Sequence, residues 1–462
     1  MKHLSRVALL AATLTAGLPA LAQVAMAQEK PTYDTGSIPA DHIMVATKAL
    51  TGNVVLISDA KGWSAEDETR AKALVDKGVA VIGIDLPVYL KGLKPEEGDE
   101  CIYTISDIES LAHQIQRAAN SDSYRPPILA GIGEGGAMAL AMIAQSPDAT
   151  IGDAIAVDPL DSIPLTTQLC TPADKTLKDG RMTYGLTEGD LPAPVTVIFT
   201  PQAPKPGRDH VAALVKDHSD IATRDTTDPA SDALDQAIAD QVAAANASEG
   251  DNPLGLPLAL LPAKPAYDTM AVFYSGDGGW RDIDKEVGSE LQDAGIPVVG
   301  VDALRYFWSK RTPEETAEDL ARIIDTYRRQ WKVKHVLLIG YSFGADIIPA
   351  TYNLLSQQNK DRVSQITLLA LSRAVDYEIS VQGWLGVDSS DSEGDSLKDI
   401  AKINPKLIQC IYGTEEDDDP CVKLKSTGVE AIGIEGGHHF DEDYEALAAQ
   451  VVASLKRRLG QP

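Results

Sequence analysis

The stretch Val336-Leu337-Leu338-Ile339-Gly340-Tyr341-Ser342-Phe343-Gly344-Ala345-Asp346 decides the fold. Four consecutive apolar residues read as a buried strand. Gly-x-Ser-x-Gly follows at once, and Asp346 to Leu355 continues with helical apolar spacing. A serine on so sharp a strand-to-helix turn is forced into strained dihedrals and leaves no room for side chains two residues to either side, which is why both flanking positions are glycine. The pattern is a nucleophile elbow in the context it requires.

The rest of the chain contains this unit twice. Asn53-Val54-Val55-Leu56-Ile57-Ser58-Asp59-Ala60-Lys61-Gly62-Trp63 returns as Met270-Ala271-Val272-Phe273-Tyr274-Ser275-Gly276-Asp277-Gly278-Gly279-Trp280, an offset of 217 (280 − 63). At the same offset Gly78 falls on Gly295, Gly83 on Gly300 and Asp85 on Asp302. Each copy reads strand, glycine-rich turn, helix, strand, and then a helix with apolar residues at helical spacing: Ile108, Leu111 and Ile115 in the first, Leu320, Ile323, Ile324 and Tyr327 in the second. Such alternation predicts α/β architecture, with two tandem α/β-hydrolase-like domains, each a mostly parallel sheet with helices on both faces. The elbow also has a twin, Gly131-Ile132-Gly133-Glu134-Gly135, at an offset of 209 (340 − 131). Gly133 stands where Ser342 stands, so the first copy keeps the turn and lacks the nucleophile.

The expected organisation is a signal peptide over residues 1–27, a degenerate hydrolase-like domain over 28–250 and a catalytic domain over 251–462. Lys2 and Arg6 precede an apolar run from Val7 to Leu21, and Ala25-Met26-Ala27 is a small-x-small cleavage site. The run is short for a membrane span, and the expected location is the periplasm. Asp232 to Ala245 predicts a surface helix, Asn246 to Leu254 a linker, and Leu256 to Leu261 an edge strand opening the second domain. The Ser-, Gly- and Asp-rich segment Asp388 to Asp399 reads as a mobile surface loop. Export places the four cysteines in an oxidising compartment. Cys410 and Cys421 flank one loop and form the natural pair, leaving Cys101 with Cys170. Without a Cys-x-x-Cys or clustered histidines they do not suggest a metal site, and no cofactor is expected.

The net charge is −27, and removal of Lys2 and Arg6 with the signal makes it −29 (−27 − 2). Such acidity makes nucleic acid an unfavourable partner and favours cationic molecules or headgroups, although solubility alone also accounts for it.

A serine hydroxyl needs a base to take its proton and an acid to orient that base, and on this fold the partners follow in the order serine, carboxylate, histidine. The strand Leu407 to Tyr412 leads into Gly413-Thr414-Glu415-Glu416-Asp417-Asp418-Asp419, the acid loop. The strand Ala431 to Ile434 leads into Glu435-Gly436-Gly437-His438-His439-Phe440, and Tyr444 to Leu459 predicts the closing helix. His438 is the expected base with His439 second, and Glu416 or Asp417 the expected acid. The oxyanion hole requires two backbone N–H groups. Phe343 supplies one and Gly276 or Asp277 the other. Asp277, Asp302 and Asp346 are candidate readers of a cationic substrate, each also able to cap a helix or brace a turn. Trp280, a candidate for the substrate wall, and Tyr306, Phe307 and Trp308 either meet lipid, line the site or pack in the core.

The second copy resembles the AcvB/VirJ family of periplasmic proteins through Ser275-Gly276-Asp277-Gly278-Gly279-Trp280, Arg305-Tyr306-Phe307-Trp308, the elbow motif and Gly436-Gly437-His438-His439-Phe440. The two-copy length is similar to the AcvB form, and VirJ corresponds to the second copy alone. The resemblance implies an α/β-hydrolase that removes the aminoacyl group, most often lysyl, from aminoacyl-phosphatidylglycerol. It also implies an association with virulence and type IV secretion in some members. The expected partners are therefore an aminoacylated phospholipid at the membrane surface and a protein bound by the first domain. The rival expectations are a periplasmic carboxylesterase or thioesterase with a soluble substrate, and a non-catalytic chaperone for exported proteins.

Overall fold

The computed structural model describes residues 32–248, 252–379, 393–416 and 419–461. The proposed export signal lies outside them, as does Asp417.

The repeat in the sequence is a repeat in space. The first copy contributes β1 (Ile43–Met44), β2 (Gly52–Ile57), β3 (Val79–Ile84), β4 (Ile128–Ile132), β5 (Asp153–Val157), a hairpin of β6 (Lys175–Lys178) and β7 (Arg181–Tyr184), then β8 (Val195–Phe199) and β9 (Ala222–Asp225). Its seven-stranded sheet has the order β1-β3-β2-β4-β5-β8-β9. The second copy contributes β10 (Leu258–Leu261), β11 (Thr269–Tyr274), β12 (Val298–Val301), β13 (His335–Tyr341), β14 (Val363–Leu369), β15 (Ala374–Val375), β16 (Gly394–Asp395), β17 (Ile408–Gly413) and β18 (Glu430–Ile434). Its seven-stranded sheet has the order β10-β12-β11-β13-β14-β17-β18, which is the same pattern. In each sheet the first strand is the antiparallel edge and the other six run parallel.

Parallel strands buried on both faces need helices on both, and the strand alternation shows where each residue goes. Val54 and Leu56 of β2 pack with Ala71 and Leu74 of the helix Ala65–Asp76 and with Leu234 and Ile238 of the helix Ala230–Ser248. Val55 and Ile57 face the opposite way, into a core that includes Ile108, Leu111 and Met138. In the second sheet Phe273 and Ile339 meet Val287 and Leu291 of the helix Asp282–Asp293 and Val451 of the helix Tyr444–Arg458. Val272 and Leu338 look to the other side, toward Leu320, Ile324 and Ile348.

The inner faces of the two copies belong to one continuous apolar cluster. Trp308 sits at its seam: its ring lies 5.1 Å from Tyr124 and 5.6 Å from His113, and its indole N–H donates to the Ser121 carbonyl at 3.0 Å. The Arg117 guanidinium stacks 3.8 Å over the same ring and donates to the carbonyls of Trp308 and Ile379.

Both expected disulfides are present, Cys101–Cys170 and Cys410–Cys421. The segment read as a mobile loop needs correction at its end. Gly394–Asp395 pairs with Ala374–Val375, and the Asp395 carboxylate accepts the Lys398 N–H at the start of the helix Ser396–Ile400, so an aspartate there is a cap. The earlier part of that segment lies outside the described residues.

Candidate active site

Ser342 joins β13 to the helix Phe343–Leu354 with φ 50° and ψ −119°. A non-glycine residue there is strained, and the surroundings hold it in place. Its N–H donates to the Leu369 carbonyl at 2.9 Å, and its own carbonyl accepts from Ala345 at 2.8 Å and Asp346 at 3.1 Å. A methyl group on Gly340 would strike the Gly344 backbone, and one on Gly344 would strike the Tyr274 carbonyl. The two motif glycines are therefore required by close approach of backbone to backbone.

The expected base and acid arrive on the ends of β18 and β17. Gly413 closes β17 with no room for a side chain, because the Gly437 carbonyl occupies that space. Thr414 donates to the Ile434 carbonyl at 2.8 Å and Glu415 to the Gly436 carbonyl at 3.0 Å, so the acid loop and the histidine loop are joined. Gly436, at φ 102°, turns the chain so that His438 faces the elbow. His438 Nε2 lies 3.0 Å from Ser342 Oγ, and Nδ1 lies 3.3 Å from Glu416 Oε1. His439 faces elsewhere, its Nδ1 3.1 Å from the Tyr341 hydroxyl. Beyond Glu416, Asp419 is buried and accepts the Cys421 N–H at 2.7 Å; burial pushes its carboxyl up to about 6. It tethers the disulfide end of the loop.

A cavity of about 350 Å³ opens over the serine. Its lining includes Ser342, His438, Gly276, Asp277, Arg281 and Asp284. Phe343 begins the helix, so its N–H belongs to the first turn, where backbone donors have no intrahelical acceptor. Of the two candidate donors in the glycine turn, Gly276 already directs its N–H toward Asp284 Oδ2 at 3.4 Å. Asp277, at the exposed rim, is left as the second donor candidate.

Three expectations for substrate-facing residues, Asp302, Asp346 and Trp280, need correction. The Asp302 carboxylate accepts the Arg305 N–H at 3.0 Å and caps the helix Ala303–Tyr306; its twin Asp85 does the same for Val88 at 3.3 Å. Asp346 is buried and accepts the Ser372 N–H at 2.6 Å, with burial holding its carboxyl well above the usual range. Trp280 lies against Gly300 and edge-on to Phe273, and its twin Trp63 lies against Gly83, so the tryptophan fills a gap left by a strand glycine in both copies. Tyr306, Phe307 and Trp308 are all buried in the shared core. Arg281, Asp282 and Asp284, which the sequence reading passed over, lie in the cavity wall. The signal for Asp284 was available: it aligns with Asp67 (67 + 217 = 284), yet it follows a glycine turn.

The first copy repeats the elbow geometry without the chemistry. Gly133 has φ 60° and ψ −119°. Glu134, the counterpart of Phe343 (134 + 209 = 343), donates its N–H to Asp59 Oδ1 at 3.0 Å. Asp59 is the counterpart of Gly276 (59 + 217 = 276). A carboxylate thus fills the place that corresponds to the oxyanion hole.

The strand order, the elbow and the serine–histidine–carboxylate geometry together define an α/β-hydrolase fold in the second half. Residues 268–459 match the model of a family described as Bacterial virulence protein (VirJ). No curated protein matches the chain. Similar solved structures include Est1E from Butyrivibrio proteoclasticus with ferulic acid bound (11% identity, 44% of this chain and 94% of that one, TM-score 0.31). A lipase-esterase related protein from Clostridium acetobutylicum is 15% identical over 42% of this chain and 98% of its own, with a TM-score of 0.32. The type II thioesterase YbtT of the yersiniabactin pathway is 14% identical over 44% and 99%, with a TM-score of 0.32.

Proposed function

We propose that the second half is a serine esterase that removes the aminoacyl group, lysyl above others, from aminoacyl-phosphatidylglycerol on the periplasmic side of the membrane. The observation that carries the chemistry is the 3.0 Å approach of His438 Nε2 to Ser342 Oγ with Glu416 on the opposite ring nitrogen. Ser342 Oγ attacks the ester carbonyl while His438 takes its proton, and Glu416 stabilises the imidazolium. The negative oxygen of the tetrahedral intermediate is received by the N–H groups of Phe343 and Asp277. His438 returns the proton to the departing glycerol hydroxyl of the lipid, leaving an aminoacyl-serine. Water, deprotonated by His438, attacks that ester and releases the amino acid.

The substrate class follows from the motif resemblance of the second copy, and the charge around the cavity is compatible with it. Asp277 and Asp282 stand at its mouth, where a cationic aminoacyl group enters, in a chain whose net charge is −27. Serine chemistry on a soluble ester or thioester is the second reading, since the same site geometry supports it. The test compares purified protein and Ser342→Ala on vesicles containing lysyl-phosphatidylglycerol. Release of lysine by the first and none by the second is expected. Equal release by both sinks the nucleophile, and release from soluble esters alone sinks the lipid.

A further inference from the structure

We propose that the first, nucleophile-free copy is a working part of the second copy's active site, because Glu109 and Thr150 grip Arg281 and so hold the oxyanion turn in place. The role rests on the reading of Ser342 as nucleophile.

Arg281 ends the turn Gly276 to Trp280 and lines the cavity over Ser342. Its guanidinium packs against Gly278, where an added Cβ would come within 2.6 Å of Nε and Nη2. Its Nη1 then reaches across to the other copy, donating to Glu109 Oε1 at 3.1 Å and to Thr150 Oγ1 at 2.6 Å. Both acceptors are buried, so the pairing is a shielded one in which geometry is fixed and water does not compete. The guanidinium fork is suited to this, since it holds several acceptors in one rigid plane.

The comparison between copies shows what was exchanged for the grip. Arg281 aligns with Ser64 (64 + 217 = 281), and Ser64 forms a full capping box with Asp67. Arg281 occupies the same N-cap position with no side-chain cap, and the next residue, Asp282, takes a left-handed φ of 45°. Freed from capping, Asp284 turns to the Gly276 N–H. A local device that every helix start can use has been replaced by one that works only with the other copy present. The turn is thereby fixed at both ends: Asp284 holds Gly276, and the first copy holds Arg281. Between them lies the Asp277 N–H, whose placement decides how well the oxyanion is met. Glu109 and Thr150 are accordingly positioning residues that act through Arg281.

The test uses the full-length chain, with p-nitrophenyl acetate as a soluble ester and a fluorophosphonate to label Ser342. The double variant Glu109→Ala/Thr150→Val should lower kcat and the labelling rate at least about ten-fold, with KM changed less than about three-fold. Glu109→Gln, which keeps an acceptor, should recover most of the loss. Hydrogen exchange of the amides at 276–282 should quicken in the double variant and leave the amides of β13 unchanged. Asp148→Asn removes the half-exposed ion pair to Lys285 in the same interface and should leave kcat and exchange as they were. A double variant with wild-type kcat and wild-type exchange overturns the grip. Loss of activity with exchange accelerated equally in β13 also overturns it, because that is general unfolding. Failure of the lipid assay with these results intact would overturn the proposed substrate alone, and failure of Ser342 to label would overturn the proposed nucleophile while exchange still reads the grip.

Discussion

The Asp59 carboxylate accepts the Glu134 N–H at 3.0 Å in the first copy, at the site equivalent to the approach of the glycine turn to Phe343 in the second. An internal anion there occupies the position that a reacting ester would need. The silent copy is therefore blocked as well as lacking its serine.

Restoring the serine should not restore reactivity. A Cβ on Gly133 would press on the Asp59 carboxylate, and the residue already has a positive φ. In a Ser342→Ala background, Gly133→Ser should take up no fluorophosphonate above the Ser342→Ala level, as read by intact mass. Labelling at residue 133 would show that the block is not there.

Glu416 should behave as the acid of the site. Glu416→Gln keeps the shape but cannot stabilise the imidazolium, and a loss of about 10²- to 10⁴-fold in kcat with KM little changed is expected. Asp417→Asn should stay within about three-fold. Steady-state kinetics on a soluble ester separates them, and the reverse ranking would assign the role to Asp417.

The loop that carries Glu416 is closed by the Cys410–Cys421 bridge, which spans 11 residues of sequence. A loop of that size is worth about 3 kcal/mol by the chain-entropy argument. Replacing both cysteines by alanine should lower the urea midpoint accordingly and reduce kcat through a displaced carboxylate. An unchanged kcat would mean that the contacts to Ile434 and Gly436 hold the loop unaided.

Asp153 opens β5 with its Oδ1 buried and without a hydrogen-bond partner. Burial pushes its carboxyl up to about 7, against a smaller pull downward from the Ala154 N–H. The folded chain then keeps a proton that the unfolded chain gives up from about pH 4, so this group's contribution to stability falls as pH rises from about 4 to 7. Asp153→Asn should be the more stable protein at pH 8, by at most roughly 4 kcal/mol, with the advantage shrinking toward pH 4. Urea unfolding at the two pH values reads the difference, and a gap that does not vary with pH contradicts the assignment.

What was legible in the sequence was whatever is enforced along the chain. Glycine spacing at 340 and 344, buried runs such as Val336 to Ile339, and the order of serine, carboxylate and histidine are local or ordinal facts, and all reappear as geometry. Residues whose surroundings come from elsewhere were misread. Asp302, Asp346 and Trp280 sit in motifs beside the site, yet one caps a helix, one braces Ser372 and one fills the space over Gly300. Arg281 had no sequence signal as an interface residue, because its partners Glu109 and Thr150 are over a hundred positions away.

The core that runs unbroken from one copy into the other, with Trp308 at its seam, makes the two folds a single thermodynamic unit. Melting should be one cooperative event, and a break in the linker alone should not release two soluble proteins. A duplicate that has lost its chemistry is normally free to decay. Here its removal would leave the second half with an open apolar flank, so in this chain the silent copy is retained by packing.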